Sequence, residues 1–314
     1  MRILLVRLDG IGDAAVCVPL LVALRGAGHA VGVALSTRNA GLFAPHALLA
    51  EHVLERIPWP AHGSTPESAA RARAEIAAVG YDLALIASEE PEAFALAAPL
   101  AVRVGFSTGW TRPLKSLWVR ARTTRTVSRS QRLGAEDAHE VEVLYRLGAG
   151  FVASPGPPRE PGALRAALLP AGGAAQARGE IVVQAGPKWE ASGVSAAVMR
   201  DVLTRLAPQA RIVAAPADAA AVRERAGVVP ETFPDLRGWI DALGRAAVVV
   251  TVDSGAAHVA GMLGTRVVDV FPDAGFDAQV RRWHPWAAPY DAVRASAVDG
   301  GPGSRFIESI LDGD

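Results

Sequence analysis

Along the chain, short runs of β-branched and aliphatic residues alternate with longer Ala- and Leu-rich stretches whose apolar positions recur at helical spacing. In the first half the strand-like runs cover residues 3–8, 30–36 and 83–87, each followed by a Gly-, Asn- or Pro-marked turn and a helical segment. That alternation predicts a parallel sheet with helices on both faces. Over 136–147 the period turns helical. Val141, Leu144 and Leu147 form one stripe, Glu140 and Glu142 lie off it, and Gly148 stops it.

Residues 154–179 break the pattern with Pro155, Pro157, Pro158, Pro161, Pro170 and a Gly172-Gly173 pair. This reads as a linker holding one short helix at 163–169. The alternation then restarts: a strand at 181–185, a helix near 196–206, a strand at 211–215, a helix at 217–226, strands at 248–252 and 267–271, and a short helix at 305–311. The expected fold is α/β, with two Rossmann-like domains. The first spans 1–153, the linker 154–179, the second 180–303, and a terminal helix 304–314. Ligands of such sheets sit beyond the carboxyl ends of the strands, so a cleft between the domains is the expected site.

Composition narrows the picture without changing it. A chain of 314 residues, half hydrophobic and one-fifth charged, has ample core material for two domains. Formal net charge is zero, so no global field favours nucleic acid or a membrane, and an electrostatic partner must be served locally. The single Cys17 excludes an internal disulfide and multi-cysteine zinc sites, and fits a reducing compartment. The apolar start is too short for a signal peptide and is interrupted by Arg7. No apolar run reaches the ~18 residues of a membrane span. The expected location is cytoplasmic, with at most peripheral contact at the inner face of the membrane.

Three stretches carry candidate chemistry. Residues 248–264 read as a buried strand, a tight turn and a helix start. Asp253 or Ser254 can cap that helix, and Gly255 lets a ligand approach the backbone. The helix's first N–H groups and the positive end of its dipole suit an anion, above all a diphosphate. His258 lies on the same face, and the dipole favours a neutral imidazole there. An ordinary turn with a capping Asp and a surface His is the plain alternative.

The second stretch, Gly10-x-Gly12-x-x-Ala15, superficially matches a dinucleotide fingerprint. Asp13 at that helix start would repel a pyrophosphate, and Ser36-Thr37-Arg38 offers no carboxylate for a ribose, leaving only an NADP variant through Arg38. Asp13 is then either a charge complementing the dipole or a carboxylate aimed at a ligand. The third stretch, 93–135, contains no Asp or Glu but holds Arg103, Arg112, Lys115, Arg120, Arg122, Arg125, Arg129 and Arg132 with Trp110 and Trp118 interleaved. It reads as a cradle for an anionic ligand or as a solvated basic face. No recognised nucleic-acid module accompanies it.

Asp253-Ser254-Gly255-x-x-His258-x-Ala260 followed by Gly264 resembles the nucleotide-sugar signature of the bacterial heptosyltransferases, glycosyltransferase family nine. Gly12-Asp13 followed by Pro19 resembles the family's other motif. The resemblance implies a GT-B fold and an inverting, metal-independent transfer from a nucleotide diphosphate sugar, with an ADP-sugar favoured. It implies Asp13 as catalytic base, accepting the proton of the attacking hydroxyl. Lys188, Gly238, Asp253, Ser254, Gly255 and His258 would bind the donor. Gly12, Arg112, Lys115, Arg120 and Arg122 would face an anionic glycan or glycolipid acceptor of the phosphorylated, Kdo-containing kind. No cofactor, no metal and no nucleic acid is expected, and the protein is expected to be a monomer. The terminal helix is expected to cross back onto the first domain, and Trp283-His284-Pro285-Trp286 to anchor a loop.

Two turns depart from the family pattern. Pro187 stands in an altered turn before Lys188-Trp189, and Phe271-Pro272-Asp273 replaces a Phe-Gly-Pro-Thr type of turn. The expected donor-sugar contacts differ accordingly. A GT-B-like sugar-nucleotide epimerase and a non-catalytic nucleotide-sugar or glycan-binding relative are the alternatives.

Overall fold

The computed structural model describes residues 1–56, 63–129, 138–170 and 179–311. Arg132, the Gly172-Gly173 pair and the outer ends of two expected helices (136–137 and 312–314) lie outside the described residues. The chain divides into two compact units, Met1–Arg159 with Ala166–Ala171, and Glu160–Arg165 with Gly172–Asp314.

The first unit runs β1 (Arg2–Val6), α1 (Ile11–Ala15), α2 (Val18–Gly26), β2 (Ala30–Ser36), β3 (Glu51–Leu54), α3 (Pro66–Val79), β4 (Leu83–Ile86), α4 (Pro91–Ala97), β5 (Val102–Ser107), α5 (Pro113–Arg120), β6 (Arg125–Ser128) and α6 (Glu140–Tyr145). Its six strands form one sheet in the order β3-β2-β1-β4-β5-β6, with every pairing parallel. The chain reverses its winding between β1 and β4, the position where open doubly wound sheets leave a crevice. Residues 3–6 of β1 are all buried, as a central parallel strand covered on both faces requires. Local signals set the ends of α3. Thr65 accepts a hydrogen bond from the Ser68 N–H, and Gly80 stops the helix at φ 67°.

After α7 (Pro161–Leu168), the second unit runs β7 (Glu180–Gln184), α8 (Lys188–Ala191), α9 (Ala196–Leu206), β8 (Ala210–Val213), α10 (Ala219–Ala226), α11 (Leu236–Arg245), β9 (Ala246–Val252), α12 (Gly255–Met262), β10 (Arg266–Phe271), α13 (Phe276–Trp283), β11 (Tyr290–Arg294) and α14 (Arg305–Leu311). Its sheet is again wholly parallel, in the order β11-β10-β9-β7-β8. Here the reversal falls between β7 and β9.

Two expectations change at this level. α14, expected to lie on the first domain, puts Phe306, Ile307 and Ile310 into the second unit's own core with Trp189, Val202 and Leu206. Glu140, placed off the apolar stripe, is fully buried. Its carboxylate is held by Arg129 at 2.6 Å, a partner that helical spacing cannot reveal. Among the described residues no helix is long and apolar enough to cross a membrane. No group of three or more His, Cys, Asp or Glu is placed to hold a metal ion among them either.

Candidate active site

In the first unit the site is built at the carboxyl end of β1, beside the β1–β4 reversal. β1 delivers Arg7, whose guanidinium is buried, and the turn at Asp9 and Gly10 opens α1. Arg7 Nε lies 3.1 Å from Asp9 Oδ2, and Arg7 Nη2 donates to Asp13 Oδ1 at 2.6 Å. Arg7 Nη1 also donates to the Ala87 carbonyl just past β4. The Gly10 N–H donates to Asp13 Oδ2 at 3.2 Å, so each oxygen of the Asp13 carboxylate has one fixed donor. The Asp13 side chain keeps 38% of its surface exposed, which leaves it reachable. Ser88 donates to Asp9 Oδ2 at 2.9 Å. The Asn39 amide donates to the carbonyls of Arg7 and Asp9 and holds the turn from the β2 side.

Burial would lower the Arg7 pKa, but the Cys17, Asp9 and Asp13 side chains around it outweigh that and raise it. Arg7 is therefore a fixed cation. Gly12 occupies the first turn of α1 beside Asp13. Cys17 is fully buried, and burial pushes its thiol up to about 12, so it stays an inert thiol.

In the second unit the site is built where β7 and β9 part. Ser254 caps α12, its hydroxyl accepting from the Ala256 N–H at 3.3 Å and pairing with Thr251 Oγ1 at 2.9 Å. From the end of β7, the first residue of α8 reaches across the reversal. Lys188 Nζ donates to the Asp253 carbonyl at 3.4 Å. Trp189 explains why Lys188 starts there, because its indole is buried in the core and donates to the Gln184 carbonyl at 2.8 Å. Gln184 in turn accepts from Trp239 Nε1 at 2.8 Å, tying α11 to the end of β7. His258 is buried rather than on the surface, with Nε2 3.7 Å from Asp253 Oδ1 and its ring 5.6 Å from that of Trp283. Gly255 is half-buried at the first position of α12.

Gly238, expected to bind the donor, lies in the first turn of α11. Its N–H is taken by the capping Asp235 at 3.1 Å. Asp273 binds Ser296 Oγ at 2.8 Å. Trp286 is buried, with the His284 ring edge-on to it.

Sequence reasoning missed Asp269, on β10 in register with Thr251. It is fully buried, and neither carboxyl oxygen has a hydrogen-bond partner among the described residues. Burial pushes its pKa well above the usual carboxylate value. Asp253 adds to that shift and Lys188 opposes it. The folded state thus keeps a proton that the unfolded chain releases at about pH 4. Stability falls as pH rises from there through the raised value, because the unfolded state binds fewer protons. We expect Asp269→Asn to raise the thermal midpoint on the order of 4 °C at pH 8 and to leave it unchanged below pH ~4. Scanning calorimetry across that range checks the sign, and a gain of equal size at both ends would reject it.

The acid-free stretch resolves into two groups. Arg112 and Lys115 sit where α5 begins, beyond the carboxyl end of β5. There Lys115 pairs with Glu89, and Arg129 lies 3.5 Å from the same carboxylate. Burial raises the Glu89 pKa, but Lys115, Arg129 and Arg112 together bring it below the usual range. Arg120 and Arg122 lie at the other end of α5, roughly 12 Å away at 1.5 Å per residue. Arg122 stacks on Trp118 at 4.0 Å and is tied through its carbonyl to Arg103 near the start of β5. The structure thus brings Arg112 and Lys115, but not Arg120 and Arg122, to the sheet edge that carries Asp13. The reason is that α5 runs back along β5.

Residues 206–300 match the family model described as glycosyltransferase family 9 (heptosyltransferase). That match covers under a third of the chain, within the second unit, and includes the Asp253–Gly264 turn and helix. The chain's fold is that of solved structures of this kind. E. coli heptosyltransferase WaaC with ADP superposes at a TM-score of 0.68 and 19% identity, covering 99% of this chain and 98% of that one. E. coli ADP-heptose lps heptosyltransferase II gives 0.68 at 14% identity, covering 100% and 98%. The glycosyl transferase family 9 protein of Veillonella parvula gives 0.66 at 17%, covering 93% and 85%. The two doubly wound sheets accordingly share the GT-B-type fold of these structures. No curated protein matches the chain.

Proposed function

We propose that this chain is an inverting, metal-independent glycosyltransferase that moves a sugar from a nucleotide diphosphate sugar to an anionic glycan or glycolipid. The observation that carries the reading is topological. Both motif turns stand at the winding reversals of their own sheets, where doubly wound folds bind ligands. Each unit supplies one part of the chemistry. In the first, Asp13 takes the proton of an acceptor hydroxyl as that oxygen bonds to the anomeric carbon. Arg7 and the Gly10 N–H orient the carboxylate and leave a lone pair on each oxygen. In the second, the bond from the anomeric carbon to the diphosphate breaks. The departing charge is met by the start of α12, at Ser254 and Gly255, and by Lys188.

Fixed donors of this kind supply what a metal ion supplies in other transferases. Asp253, His258 and Gly238 complete the donor side, and Gly12, Arg112 and Lys115 the acceptor side. An ADP-sugar is the favoured donor, supported by the fold shared with E. coli WaaC, solved with ADP and with ADP-2-deoxy-2-fluoro heptose. On this reading the protein acts in the cytoplasm, as a monomer, on a lipopolysaccharide-type acceptor.

A thermal-shift screen of ADP-, GDP-, UDP- and dTDP-sugars tests the donor assignment. Stabilisation follows affinity, about 2.7 kcal/mol at a ligand concentration a hundred times Kd. The ADP-sugar is expected to give the largest shift. Lys188→Ala is expected to weaken it about tenfold in Kd, the loss of one charge-assisted contact. Silence towards all four donors would reject the reading.

A further inference from the structure

We propose that the start of α5 is a docking surface for an anionic phospholipid bilayer. Among the described residues seven large apolar side chains are exposed, and three of them fall between positions 110 and 117. Trp110 is 95% exposed, Leu114 80% and Leu117 63%. The opposite side of α5 explains their direction. Ser116 and Val119 are buried, Ser116 donates to the Gly109 carbonyl, and Trp118 packs edge-on to Phe94 at 4.9 Å. With that side committed to the body of the unit, Trp110, Leu114 and Leu117 face solvent.

The rim of this apolar face is cationic. Arg112, Arg120 and Arg125 are exposed and make no ion pair among the described residues. No acidic residue occurs between positions 93 and 135. Leucines and a tryptophan on one face with arginines beside them are the marks of a helix that lies in the membrane interface. The indole suits the headgroup level, and the arginines meet the negative potential of an anionic leaflet. A nucleic acid would have no use for Leu114 and Leu117. A second copy of the chain would bring like-charged arginine rims together.

The rim shares Arg112 with the proposed acceptor side, but the two readings are tested separately, because docking on lipid needs neither donor nor turnover. The test is flotation of the full chain with vesicles of equal parts phosphatidylglycerol and phosphatidylcholine, against pure phosphatidylcholine. The chain is expected to float with the anionic vesicles and to be released by high salt. Bromine-labelled acyl chains are expected to quench part of its tryptophan fluorescence. A variant carrying Trp110→Ser, Leu114→Ser and Leu117→Ser is expected to lose partitioning about tenfold or more. Its thermal midpoint should stay that of the parent, since none of the three side chains is buried. Leu49→Ser with Val229→Ser, also exposed but elsewhere, is expected to change nothing. Three results would overturn the proposal: no flotation of the parent, equal flotation of the triple variant, or a parent dimer in solution that the triple variant dissolves.

Discussion

Asp13→Asn is expected to lower kcat for sugar transfer by about three orders of magnitude, the middle of the range for removing a positioned general base. The amide oxygen can still accept from Arg7, whereas the NH2 in place of Oδ2 cannot accept from the Gly10 N–H, so the turn keeps one of its two ties to this side chain. What the side chain loses is the ability to take a proton. The proposed donor side lies in the other unit, so the thermal shift produced by an ADP-sugar should be that of the parent. Rapid-quench measurement of a single turnover, with donor binding followed separately, makes the distinction. If Asp13→Asn turned over at a parental rate, the carboxylate would be a dipole charge of α1 and the base would lie elsewhere.

Arg7→Met should have the second large effect, and on stability first. The guanidinium is buried, touches Asp9 and Asp13, and donates to the Ala87 carbonyl next to β4. A thioether fills similar volume but leaves Asp9 and Asp13 side by side without a cation. The carboxylates left behind keep 27% and 38% of their surface in solvent, so the loss falls below that of a fully buried pair, at about 1–3 kcal/mol. The thermal midpoint of the first unit should drop on the order of 5 °C. Arg7→Lys should recover only part of this, because one ammonium cannot span Asp9, Asp13 and the strand end together. A midpoint unchanged in Arg7→Met would show that the ion pairs contribute nothing net. Transfer should fall as well, since nothing else on β1 orients Asp13.

The parts of the fold legible in the sequence were those whose boundaries carry their own chemistry. β2 was expected at 30–36 and α9 at 196–206, and both fall there, the latter behind the Ser195 cap. The turn at Asp253–Gly255 was legible for the same reason, a β-branched run ending at a capping serine. β3, β5, β6 and β11 were not anticipated. Arg103 and Arg125 interrupt two of them, and β6 and β11 lie at sheet edges where the apolar pattern thins. The Arg7 clamp left one trace, a charge set in an otherwise apolar first strand. Its partner Ala87 is eighty positions away, Ser88 is seventy-nine from Asp9, and only pairing of β1 with β4 brings them in. The basic stretch misled in the opposite direction. Composition grouped Arg112 with Arg122, whereas helix geometry sends them to opposite edges of the sheet.

Gly261, near the end of α12, sits so close to the loop after α13 that a methyl group there would meet Pro285 at 2.9 Å. The neighbours of α12 thus touch bare backbone, and the helix has no slack with which to absorb a change in that loop. Sequence drift at 284–286 would be transmitted along about two helical turns to Ser254. If the Ser254 turn holds the donor as proposed, variation at 284–286 would alter donor choice through the packing of α12.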